Sequence, residues 1–77
     1  MLNIGLAISL FRRNRQIKQK ELAKMVGVST NYMSLIENNR RIPSLRLLEK
    51  IAHVLKIELS SLLYFSEMFG NGEHSNG

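Results

Sequence analysis

The sequence has no cysteine and no tryptophan. Without a thiol, a disulfide framework, an iron–sulfur cluster, a thiolate zinc site and a cysteine nucleophile are all excluded. Aspartate is missing as well, and the acidic residues are six scattered glutamates, so no two carboxylates are spaced for paired acid and base work. The two histidines, His53 and His74, stand far apart, whereas a catalytic metal centre needs about three clustered protein ligands. The expectation is a protein that is not an enzyme, with no metal and no cofactor. No apolar run approaches the roughly 20 residues of a membrane span. The apolar start, Met1 to Phe11, is followed by Arg12, Arg13 and Arg15, the reverse of a secretory signal. A soluble cytoplasmic protein without membrane contact is expected.

A chain of 77 residues holds one small core and leaves no room for a second domain. Its 44% hydrophobic and 22% charged residues, with a single proline, are the composition of an ordinary folded domain. Charge is unevenly placed. Residues 1–50 carry ten Lys and Arg against three Glu, whereas residues 51–77 carry Lys56 against Glu58, Glu67 and Glu73. That asymmetry suits a polyanion, nucleic acid above all, contacted by the first two thirds of the chain. A merely solvated basic surface is the plainer alternative.

Apolar residues recur at three and four, which predicts an all-α chain of five helices. The first, about Leu2 to Arg15, puts Ile4, Ala7, Ile8 and Phe11 on a core face and Leu2, Leu6 and Leu10 on the opposite side. That second stripe is either a greasy surface or a self-association face. The second helix, about Lys18 to Val26, buries Leu22, Ala23 and Val26 and is stopped by Gly27, with Ser29 placed to cap the next. Two short helices joined through such a turn cross steeply as a helix-turn-helix.

The third helix, about Ser29 to Asn38, has Tyr32, Met33 and Ile36 on one side and Thr30, Asn31, Ser34, Leu35 and Asn38 on the other. Short amide and hydroxyl side chains let a helix approach base edges closely. Asn39 can end it in a left-handed conformation, and Arg40, Arg41 and Pro43 form a basic loop. Ser44 caps a fourth helix with Leu45, Leu48, Ile51, Ala52 and Leu55 at core spacing. A short fifth, about Glu58 to Phe65, supplies Leu59, Leu62 and Leu63. Residues 1–66 are expected to form the domain and 67–77 a flexible tail, aperiodic from Gly70 onward.

Gln19, Leu22, Ala23, Gly27, Val28, Ser29, Tyr32, Ile36, Glu37, Asn38, Pro43 and Ser44, taken in order, resemble the phage-repressor and Cro type of helix-turn-helix, the Xre family. The resemblance spans about Ile4 to Leu63 and implies a compact, five-helix, lambda-repressor-like DNA-binding domain from a bacterium or its phage. It implies that Thr30, Asn31, Ser34 and Leu35 face bases in the major groove. It further implies phosphate contacts from Gln19, Arg40 and Arg41, to which Lys18, Lys20, Lys24 and Asn38 are added as neighbours on the same elements. Arg12 and Glu37 match positions that form a partly buried ion pair in relatives, and neither charge tolerates burial alone. Three departures concern local geometry: Gln16 stands where the family commonly has Gly, Lys18 replaces a hydroxyl N-cap, and Asn39 replaces Gly.

The function implied is a transcriptional regulator, a repressor or a restriction–modification or mobile-element controller, binding double-stranded DNA at a palindromic operator. One recognition helix reads few base pairs, so a homodimer is expected. Its interface is read as Leu62, Tyr64, Phe65, Met68 and Phe69, with Leu2, Leu6 and Leu10 as the other choice. The chain after Leu63 is too short for a small-molecule effector domain. The rival reading is an antitoxin-like module that binds a protein partner as well as its operator. RNA is the weaker nucleic-acid choice, because the basic surface lacks aromatic stacking platforms.

Overall fold

The computed structural model describes the backbone of residues 2–74 and the side chains of residues 2–70. Five helices follow one another: α1 (Ile4–Asn14), α2 (Gln19–Val26), α3 (Thr30–Glu37), α4 (Leu45–Val54) and α5 (Leu59–His74). Among the described residues there is no strand. Side chains start three of the helices: Asn3, Ser29 and Ser44 accept the N–H groups of Leu6, Tyr32 and Leu47. Lys18 has no acceptor to offer α2; instead the Glu21 carboxylate reaches back to the Lys18 N–H at 2.8 Å, half of a capping box.

The first four helices all end in the same closure. One residue turns left-handed, and the next donates its N–H across six residues to the carbonyl three positions before the cap, as in a Schellman motif. The left-handed residues are Gln16, Gly27, Asn39 and Lys56. The spanning bonds run from Ile17 to Arg12, Val28 to Ala23, Arg40 to Leu35 and Ile57 to Ala52, at 2.8–3.1 Å. Ile17, Val28 and Ile57 pack against the core; Arg40, their counterpart after α3, is exposed. Gln16 and Lys56 adopt the backbone of a glycine because the closure requires it, at a cost of about 1 kcal/mol each.

The core is built from every helix: Ala7 and Ile8 of α1, Leu22, Ala23 and Val26 of α2, Met33 and Ile36 of α3, Leu48, Ile51 and Ala52 of α4 with Leu55 at its end, and Leu62 of α5. Ile4 and Phe11 lie half-buried at its margin. Two apolar residues stand elsewhere than expected. Leu45, read as core, is the first residue of α4 and is 63% exposed, beyond the edge of the packed layer. Leu62, read as a dimer contact, has no exposed surface and belongs to the monomer core, so it has nothing to offer a second molecule.

The fifth helix does not stop near Phe65 but continues to His74. Tertiary contacts sustain it through Gly70, where local propensity alone would end a helix. The buried Ser66 hydroxyl donates to the Leu62 carbonyl at 2.7 Å, while the Ser66 carbonyl accepts the Asn3 N–H at 2.8 Å. Phe69 packs against the core and Gly70 is buried. Of the stretch expected to be aperiodic, Gly70 to His74 is thus helical, and Ser75 to Gly77 lie outside the described residues.

Candidate nucleic-acid interface

The turn between α2 and α3 is made by Gly27, at φ +81°, and closed by Val28 donating to the Ala23 carbonyl at 2.9 Å. Ser29 then caps α3, and Met33 and Ile36 pin its inner face to the core. The outer face follows from that anchoring: 100° per residue puts Asn31 opposite Met33 and Ile36, with Thr30 on the flank of the first turn. Both are exposed, and the side chain of neither makes a hydrogen bond among the described residues. Ser34 and Leu35 are half-buried one turn later. The exposed Asn38 amide donates to the Ser34 carbonyl at 2.9 Å and to its hydroxyl at 3.3 Å, so Ser34 is already engaged from the C-terminal side.

Beneath this face lies a charged network. Arg12 Nε donates to Glu37 Oε2 at 2.8 Å and Arg12 Nη2 to Oε1 at 3.0 Å, with side-chain exposures of 10% and 6%. Arg12 Nη1 also donates to the Ile17 carbonyl at 2.9 Å. The pair is bidentate and fully hydrogen-bonded, the arrangement in which burial of two charges is tolerated. Gln19 joins it, its Nε2 donating to Glu37 Oε1 at 3.1 Å. The expected phosphate residue is therefore also a strut from α2 to the end of α3, with one amide hydrogen left to give.

The cations divide by place. Arg40 and Arg41 are exposed beyond α3, and their side chains have no partner among the described residues. Lys18 and Lys20 are exposed on α2. Lys24 is exposed and lines a groove between α2 and α4 to which no α3 residue contributes. Asn39 is more than a stand-in for glycine: its Oδ1 accepts the Gly5 N–H at 3.0 Å and its amide donates to Asn3 Oδ1 at 2.6 Å, tying the end of α3 to the start of α1.

Sequence reasoning missed Arg15. Its Nε donates to the Leu55 carbonyl at 2.8 Å and its Nη2 to the Lys56 carbonyl at 3.3 Å, so a cation at the end of α1 satisfies the C-terminal carbonyls of α4. A partner 40 residues away leaves no local signal. On the opposite side of α1, Leu2, Leu6 and Leu10 are 38–49% exposed. In α5, Tyr64 and Met68 are exposed, whereas Phe65 is half-buried with its ring edge-on to Phe11 at 5.4 Å. Leu10, Phe11, Asn14, Phe65 and Phe69 together line a hollow of about 280 Å³. The two apolar surfaces that the sequence offers as alternatives thus meet at Leu10.

A family model described as helix-turn-helix matches residues 8–62. The chain belongs to the helix-turn-helix family. Within it the type is that of phage repressors, the Xre type. The ImmF control region 10 kDa protein of Bacillus phage phi105 is 39% identical over 59 residues, covering 77% of this chain and 66% of that protein. The chain spans 43–66% of the length of the first three curated helix-turn-helix relatives. Among solved helix-turn-helix structures, the clp gene regulator ClgR from Corynebacterium glutamicum superposes with a TM-score of 0.93 at 26% identity, covering 96% of this chain and 79% of that one. The P22 c2 repressor in complex with a synthetic operator gives 0.73 at 32% identity, covering 82% and 94%.

Proposed function

We propose that this chain is a transcriptional regulator, not an enzyme, that binds double-stranded DNA sequence-specifically as a homodimer on a two-fold-related operator. The observation that carries the reading is the outer face of α3: short, uncharged polar side chains project freely from a helix anchored on its other side, and unpaired arginines follow it. Thr30 and Asn31 reach base edges first, with Ser34 and Leu35 behind them; Asn can pair with adenine through two bonds, and the Thr methyl can rest against a thymine methyl. Arg40, Arg41, Lys18, Lys20, Gln19 and Asn38 hold the phosphates and supply most of the affinity. Similarity to a repressor solved in complex with a synthetic operator supports this arrangement. The joined apolar surface of α1 and α5 is the dimer interface in this reading, through Leu10, Tyr64, Phe65, Met68 and Phe69.

Selection from a randomised duplex pool at about 150 mM salt, where purely electrostatic binding is weak, tests the proposal. A two-fold consensus with half-sites one helical turn, about 34 Å, apart is the expected product. Enrichment without any consensus would overturn sequence-specific recognition and give the lead to the antitoxin-like reading.

A further inference from the structure

The groove lined by Lys24 has a chemistry of its own. It measures about 570 Å³ and runs between the end of α2 and the outer face of α4. Arg46, Lys50 and His53 recur along α4 at four and three residues, so they stand in one row, with Lys24 opposite. All four are exposed, and their side chains have no hydrogen-bond or ion-pair partner among the described residues. Between them the floor is apolar: Val26, Val54 and Met25, the last 58% exposed. The cations Lys24, Arg46 and Lys50 outnumber the one carboxylate of the lining, Glu49, an excess that favours an anionic ligand.

We propose that this groove docks an acidic, amphipathic segment of a partner protein, apolar side chains on Met25 and Val54 and carboxylates against Lys24, Arg46 and Lys50. Two observations favour a protein over a nucleic-acid backbone. A phosphodiester chain has no apolar side chains to cover Met25, and the Glu49 carboxylate in the lining opposes a phosphate while it can accept a donor from a peptide. The groove shares no residue with Thr30, Asn31, Arg40 or Arg41, so a partner can sit there while α3 occupies DNA. The proposal adds a second binding face to the regulator and does not depend on its operator preference.

The test is a titration of the isotopically labelled full chain, followed by amide chemical shifts, with a synthetic amphipathic helix of Glu, Ala and Leu and with its Lys-for-Glu counterpart. The Glu peptide is expected to shift Lys24 to Gly27 and Arg46 to Val54 saturably, and the Lys peptide to leave them in place. Arg46→Glu with Lys50→Glu should weaken the Glu peptide about tenfold and weaken a duplex by a smaller factor, because the net charge falls by four from +5. Arg46→Gln with Lys50→Gln provides a milder pair should the reversal unfold the chain. Shifts centred elsewhere, or equal peptide affinity in both double variants, overturn the proposal. So does a duplex that shifts the same amides and weakens in step with the peptide, which would make the groove a DNA contact.

Discussion

Gly5 lies backbone against backbone on the last turn of α3: a Cβ added there would stand 2.6 Å from the Ile36 carbonyl oxygen and closer still to that of Glu37. Neither acceptor is a flexible side-chain end, so α1 must move to make room. Gly5→Ala is expected to destabilise the fold by about 1–3 kcal/mol even though alanine is the better helix former. Urea denaturation followed by circular dichroism measures it; an unchanged midpoint would mean the two helices slide apart freely.

The three left-handed residues that are not glycine should separate on substitution. Gln16→Gly and Lys56→Gly relieve backbone strain and are expected to stabilise by up to about 1 kcal/mol each, which raises the melting temperature by about 4–8 °C. Asn39→Gly loses the bonds to Gly5 and Asn3 and should give no such gain. Three melting curves decide the point, and equal shifts at all three positions would deny Asn39 its bracing role.

Removing one member of the buried pair leaves the other uncompensated. Glu37→Ala is expected to cost about 3–5 kcal/mol, while Arg12→Met combined with Glu37→Met should cost much less than the two single changes together. Additive losses in a double-mutant cycle would show that the two charges do not depend on each other.

On the recognition face, Asn31→Ala should relax preference at one base pair, with a loss of about 1–3 kcal/mol at the preferred site. Arg41→Ala should weaken all sequences alike and reduce the salt slope by about one. Binding isotherms on matched and mismatched duplexes at several salt concentrations separate the two. A shifted base preference from Arg41→Ala would reverse the proposed division of labour.

For the dimer, Met68→Glu and Leu10→Glu are cleaner probes than Phe65→Glu, because Phe65 already packs on Phe11. Either change should shift sedimentation of micromolar protein toward the monomer; a dimer that survives both excludes the α1–α5 surface.

The helix order, the turn and the pinned side of α3 are legible in the sequence because each rests on local signals: Gly27 and Ser29 for the turn, Met33 and Ile36 for the face. What escapes the sequence is held by distant partners. Leu62 looks as able as Tyr64 to face outward until α5 is docked on α1, and α5 outruns its own propensity because Asn3 and Phe11 meet Ser66 and Phe65. Lys56 gives no hint of a left-handed backbone, and Arg15 none of the carbonyls it satisfies. In the candidate site, the residue types of α3 are readable, whereas the double engagement of Gln19 and the groove that Lys24 lines with α4 come only from three-dimensional neighbours.

Thr30 and Asn31 support nothing in the fold, since α3 is held by Ser29 at its start, Met33 and Ile36 on its inner side and Glu37 at its end. Substitutions at exposed, unbonded positions usually change stability by less than about 0.5 kcal/mol. The two side chains proposed to meet bases first can therefore be exchanged in single steps without passing through an unfolded ancestor. A lineage carrying this scaffold can change the address it reads while keeping the machine that carries it.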